Sequence, residues 1–201
     1  MQPCAGHRGG ESRVFSWQLR PQSTQPAGQH IAAATTGQQG IAGGVDDDAA
    51  IRRNVERYMQ TRLTGLVVLG SNGEAVMLDD SEAERVIVAA RSGMPSSRPL
   101  IAGTGAESTK ATIAACARAA RAGADAVLVR TPAFFKNLMT SEVYVRHYVA
   151  VAEASPVPVL LYNVSMYTGV TLPPEAVRLL AEHPTIVGLK ESGSDAALLA
   201  D

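Results

Sequence analysis

One lysine sits where lysine is seldom found. Ile186-Val187-Gly188-Leu189 is a strand-like, mostly apolar run that leads straight into Lys190, Glu191 and Ser192. Lysine is among the residues least often fully buried, so Lys190 is either a charge at an exposed strand end or a group with chemical work to do. The chain has only two other lysines, Lys110 at a helix start and Lys136 in a loop, where a solvated charge needs no explanation. The chemistry open to Lys190 is imine formation: an amine whose proton is loosened by apolar surroundings attacks a substrate carbonyl.

Two further groups offer matching chemistry. Tyr162 ends the apolar run Pro158-Val159-Leu160-Leu161, one repeat before Lys190, and is followed by Asn163. Alone it reads as an amphipathic core residue with its hydroxyl in water. Beside an amine, a phenol is a proton shuttle for making and breaking a carbinolamine. In Gly70-Ser71-Asn72-Gly73-Glu74 two glycines permit a tight turn, which would aim the amides of Ser71 and Asn72 at an anion such as a carboxylate. A plain turn before a helix accounts for the same residues. Thr131-Pro132 with Phe134 and Phe135 reads as an apolar wall or a subunit contact, and Gly103-Thr104-Gly105 is too short for a nucleotide fingerprint.

These residues need elements that bring them to one rim. From Asp46 a regular alternation begins. Asp46 to Asp48 cap a helix with Ile51, Val55, Tyr58 and Met59 on one face. Strands follow at 66–70, 99–103, 126–129, 158–162 and up to Lys190. Between them lie a helix with capping-box spacing at Ser81 and Glu84 that runs to about Ser92, one capped by Ser108 or Thr109 that stops at Gly123, one over 141–154, and one opened by Pro173-Pro174. Ser194 begins another. The strands are continuously apolar rather than alternating, which predicts an α/β protein whose parallel sheet is covered on both faces. Two architectures fit: an open doubly wound sheet, or an incomplete (β/α)8 TIM barrel with about five of eight βα units. In both, the C-terminal strand ends form one rim where ligands bind.

Composition narrows the partners. With 46% hydrophobic and 18% charged residues over 201 positions, the chain can build one sizeable core. A net charge of -1 gives no reason to expect nucleic acid or an anionic membrane surface, and no apolar run reaches the length of a membrane span. Cys4 and Cys116 make neither a disulfide framework nor a zinc site, and Cys116 reads as a packing residue in an alanine-rich helix. His147 and His183 look bland, and no His, Cys or carboxylate cluster has metal-ligand spacing. Residues 1–44 are rich in Gly, Gln, Ser, Thr and Pro without periodicity, and read as disordered or poorly packed. Cytoplasmic residence is the expectation, although Arg8, Arg13 and Arg20 against Glu11 leave an organelle-targeting peptide open.

Taken together, four motifs resemble the dihydrodipicolinate synthase/N-acetylneuraminate lyase family of class I aldolases over roughly Asp46 to Asp201. Gly70-Ser71-Asn72-Gly73-Glu74 is similar to its G-[ST]-x-G-E loop, and Ala102-Gly103-Thr104-Gly105 to its A-G-[TS]-G strand end. Leu161-Tyr162-Asn163-Val164 is similar to its tyrosine motif, and Gly188-Leu189-Lys190-Glu191 to its G-x-K-[DE] lysine motif. The resemblance implies a TIM barrel, usually a homotetramer built from dimers, acting on 2-oxo acids such as pyruvate without metal or organic cofactor. It implies that Lys190 forms the imine, Tyr162 and Ser71 relay protons, and Ser71 and Asn72 hold the substrate carboxylate. Tyr167 stands where the synthase has an arginine for its second substrate, and Phe135 where the synthase has a tyrosine lent by the neighbouring subunit. Those departures argue against the synthase reaction, and Gly70-Ser71-Asn72-Gly73-Glu74, Glu107-Ser108-Thr109 and the 155–159 run most resemble the 4-hydroxy-2-oxoglutarate aldolase branch, although Ser165 stands where many of its members have proline. The resemblance also implies a first strand just before Asp46, which the sequence there does not resemble, and two strands beyond Asp201. The chain therefore reads as truncated. The competing readings are a synthase-type condensing enzyme, a catalytically inactive fragment, and a doubly wound domain whose Ser71 and Asn72 cradle phosphate.

Overall fold

The computed structural model describes residues 18–19, 31–33 and 48–192. They form one seven-stranded sheet: β1 (Gln18–Leu19), β2 (Ile31–Ala33), β3 (Gly65–Val68), β4 (Leu100–Gly103), β5 (Ala126–Arg130), β6 (Val159–Asn163) and β7 (Ile186–Glu191). The helices are α1 (Asp48–Met59), α2 (Asp80–Ser92), α3 (Thr109–Arg121), α4 (Ser141–Ala154), α5 (Ser165–Thr168) and α6 (Pro174–Leu180). The spatial order is β1-β7-β6-β5-β4-β3-β2. From β2 to β7 each strand pairs in parallel with the next in sequence. A doubly wound sheet reverses its order at a switch point. This one does not, so the arc is that of a barrel, with β3 to β7 as the five expected strands.

Side chains alternate between two cores. Leu66, Val68, Leu100, Ala102, Val127, Val129, Val159 and Leu161 face the helices and pack on Val86, Cys116, Tyr144 and Tyr148. Val67, Ile101, Leu128, Leu160 and Tyr162 form a second cluster on the opposite, inner face. Burial on both faces is why the strands read as unbroken apolar runs.

The helix starts follow side-chain chemistry, with one correction. The capping box of α2 is Asp79 and Glu82 rather than Ser81 and Glu84. Asp79 accepts from the Ser81 and Glu82 amides, and Glu82 accepts from the Asp79 amide. A carboxylate two residues upstream outcompetes the serine hydroxyl, which itself donates to Asp79 at 2.7 Å. Ser108 caps α3 and Thr140 caps α4.

Two segments of the stretch read as unpatterned join the sheet. β2 pairs in parallel with β3, and β1 lies antiparallel on β7. Runs of two and three residues are too short to show a period. The rest of residues 1–44, and the helix expected from Ser194, lie outside the described residues.

Behind the sheet, His147 of α4 is buried, and its Nδ1 lies 2.9 Å from the Thr109 hydroxyl. Burial lowers its pKa to about 4, partly offset by the negative field of Glu107. The unfolded chain therefore takes up this proton first as pH falls. Stability should be level above about pH 6.5 and decline towards pH 4, by a total of order 3 kcal/mol. Urea unfolding across that range checks this, and His147→Gln should flatten the slope.

Candidate active site

The rim at the C-terminal ends of β3, β6 and β7 brings together three of the four singled-out side chains. Tyr162 and Lys190 are direct neighbours in the β6–β7 ladder. Both are buried, at 6% and 5% exposure. The Lys190 Nζ stands 4.3 Å from the centroid of the Tyr162 ring, over its electron-rich face. The Tyr162 hydroxyl shares a 2.9 Å hydrogen bond with the Ser71 hydroxyl, 91 positions earlier in the chain. Amine, aromatic ring and hydroxyls thus form a continuous line from β7 to the loop after β3. Asn72 lies on the same loop with its side chain exposed.

That loop is held by backbone geometry. Ser71–Gly73 is a single 3-10 turn, closed by the Gly73 amide on the Gly70 carbonyl. It is entered through Leu69, whose φ of 56° is left-handed, and left through Glu74 at 53°. Such conformations are uncommon for residues other than glycine. Gly103 is what admits the first of them. A Cβ built there would lie 1.9 Å from the Leu69 carbonyl oxygen. The Gly103-Thr104-Gly105 stretch therefore shapes the Ser71 loop and needs no nucleotide to explain it.

Two polar residues that sequence reasoning gave no role fasten the rim. Asn163 is 2% exposed. Its amide donates to Glu191 at 2.6 Å and its carbonyl oxygen accepts from the Leu172 amide at 3.0 Å, while its main-chain oxygen accepts from Ser192 at 2.9 Å. It therefore ties β6 to β7 one residue beyond the Tyr162–Lys190 pair. Glu107 accepts from the amides of Ala133 and Phe134, both at 2.8 Å, and pairs with Arg130 at 2.7 Å. Burial raises its pKa, but these donors outweigh it and leave the carboxyl below the usual range. The signal for Asn163 was its place beside Tyr162 at the end of an apolar strand. For Glu107, 26 residues from the loop it holds, the sequence offered none.

Phe134 and Phe135 stack edge to face at 5.0 Å and are exposed, as are Met166 and Tyr167. Cys116 is buried against Thr104, as a packing residue should be. Among the described residues no group of His, Cys, Asp or Glu is placed to hold a metal, and no helix is long and apolar enough to cross a membrane.

Residues 30–200 match the model of the Dihydrodipicolinate synthetase family. The chain belongs to that family. The match takes in β2. A probable mitochondrial 4-hydroxy-2-oxoglutarate aldolase of Emericella nidulans is 42% identical over 149 residues, 72% of this chain and 48% of its own. A 4-hydroxy-tetrahydrodipicolinate synthase of an Exiguobacterium species is 40% identical over 146 residues, 73% of this chain and 49% of its own. Among solved structures, the chloride-inhibited dihydrodipicolinate synthase of Acinetobacter baumannii, complexed with pyruvate, superposes with a TM-score of 0.72 at 37% identity, covering 77% of this chain and 54% of that one. The chain thus spans about half the length of the dihydrodipicolinate synthetase relatives it matches.

Asn163→Ala should loosen the rim before it disturbs the core. It removes the acceptor of the buried Leu172 amide, a loss of about 1–3 kcal/mol. Chemical denaturation measures the loss, and faster hydrogen exchange at Leu172 and Ser192 locates it.

Proposed function

We propose that this chain carries the imine-forming half-site of a class I aldolase acting on pyruvate-derived 2-oxo acids, of the 4-hydroxy-2-oxoglutarate type. The observation that carries the reading is the line Ser71–Tyr162–Lys190: a hydroxyl bonded to a phenol at 2.9 Å, and an amine 4.3 Å from that phenol's ring. The neutral Lys190 amine attacks the C2 carbonyl of the oxo acid. Tyr162 takes a proton from the nitrogen of the adduct and returns one to the departing hydroxyl, which leaves as water, and Ser71 shares the relay. The protonated imine then draws in the electron pair of the C3–C4 bond. That bond breaks as the 4-hydroxyl passes its proton to Tyr162, releasing an aldehyde and leaving an enamine on Lys190. Protonation at C3 and addition of water return the oxo acid and the free amine. Ser71 and Asn72 hold the C1 carboxylate. No metal or organic cofactor enters these steps.

A second reading, condensation of the synthase type, is supported by the synthase relatives at about 40% identity. Tyr167 and Phe135 stand against it, because Tyr167 supplies no cation and Phe135 no hydroxyl for the second substrate of that reaction. The apolar Phe134–Phe135 loop is a reasonable subunit contact, which would make the functional unit a homo-oligomer.

Pyruvate and borohydride test the reading. Wild-type chain should gain one reduced pyruvate adduct on the peptide containing Lys190, visible by mass analysis. Lys190→Ala should gain none, and Tyr162→Phe should form it about a hundredfold more slowly, the low end of what a positioned proton relay contributes. An adduct placed elsewhere, or undiminished in Lys190→Ala, overturns the proposal.

A further inference from the structure

Lys136 is a rim cation to which the imine chemistry gives no task. The loop after β5 and the loop after β6 leave the sheet side by side, joined where the Thr131 amide donates to the Tyr162 carbonyl. They meet again at Lys136 and Gly169. The Lys136 Nζ stands 2.6 Å from the point a Cβ on Gly169 would occupy, so glycine there, with φ of 66°, leaves room for the ammonium. Lys136 is exposed, and among the described residues its ammonium has no hydrogen-bond or ion-pair partner. The nearby charges are engaged elsewhere: Arg130 with Glu107, and Glu191 with Asn163. The flanking side chains Phe134, Phe135, Met166 and Tyr167 carry no charge to compete for an anion.

We infer that Lys136 is a specificity-determining residue that receives the distal carboxylate of a dicarboxylic 2-oxo acid, on the rim between the loops after β5 and β6. The inference rests on the imine reading above. An oxo acid bound through C2 to Lys190 has its C1 carboxylate directed at the Ser71–Asn72 loop, and its far end must extend along the remaining rim. There the flexible four-carbon stem of lysine lets the ammonium move from the end of α5 to meet an anion without backbone rearrangement. An unengaged cation between uncharged neighbours favours a second carboxylate over an alkyl end. This gives the chain a means of choosing dicarboxylic substrates although Tyr167 is no cation.

The test compares two five-carbon 2-oxo acids that differ in one group: 2-oxoglutarate, with a distal carboxylate, and 2-oxopentanoate, without it. Each is trapped on Lys190 with borohydride over a concentration series, with pyruvate as the control for imine formation. Wild type should reach half-saturation at a lower concentration of 2-oxoglutarate. Lys136→Gln should lower that preference about tenfold, the scale of one lost charge-assisted hydrogen bond, and Lys136→Arg should retain it. In wild type the preference should shrink as salt rises, because an exposed charge is screened. This readout needs no variant to fold. Equal half-saturation of the two acids, or an unchanged preference in Lys136→Gln, overturns the inference while pyruvate trapping leaves the imine reading standing. A lower melting temperature in Lys136→Gln with the preference intact marks Lys136 as a cap for α5 and also overturns it. Absence of any pyruvate adduct on Lys190 removes both readings.

Discussion

The site depends on a one-residue irregularity in the pairing of β6 with β7. The ladder begins at Val159 and Ile186, but the next pair is Leu160 with Gly188, so β7 carries one extra residue. A one-residue slip moves every later side chain to the other face of the sheet. In an unbroken ladder Tyr162 would sit opposite Leu189, and Lys190 would point at the helices. With the slip, Lys190 faces inward beside Tyr162, while Leu189 packs on the helix-facing core. Glycine at 188 suits such a place, since a strand glycine often marks a bulge.

Everything else at the rim keeps that pairing in position. The inner cluster of Val67, Ile101, Leu128 and Leu160 forms a dry floor below Tyr162. Above it, the buried Asn163 and the exposed Glu107 are each held by specific partners. Asn163 uses both ends of its amide, and Glu107 uses both oxygens. An unpaired Asn163 at 2% exposure would be costly, so its bonds restrict the rim to few arrangements. Apolar packing alone would permit more.

The sequence made the framework readable because both faces of the sheet are covered. Continuous apolar runs, punctuated by caps and glycines at about 30-residue intervals, are strong signals. Lys190, Tyr162 and Ser71 stood out as polar groups at the ends of those runs. What stayed hidden were features set by partners distant in sequence. The bulge left only an ambiguous trace, since a strand glycine such as Gly188 marks a bulge, a bend or a close approach alike until the neighbouring strand is known. The Asp79 cap lost to Ser81 on spacing alone, because both residues are good caps and only geometry chooses between them. β1 and β2 are too short to carry a pattern. Lys136 read as a solvated loop charge, and its place against Gly169 emerges only when two loops 33 positions apart converge.

The close approach at Gly103 reaches beyond shape. Because the Leu69 carbonyl occupies the space where any side chain on residue 103 would begin, the ends of β3 and β4 are coupled as one mutational unit. A descendant cannot alter one without first rebuilding the other, and each intermediate would carry a displaced Ser71. The loops after β5 and β6 are tied to the reacting strands by hydrogen bonds, Thr131 to the Tyr162 carbonyl and Leu172 to Asn163, which leave most of their side chains free to change. Divergence within this lineage would therefore accumulate there, changing which molecules are accepted while leaving the bond-making apparatus in place.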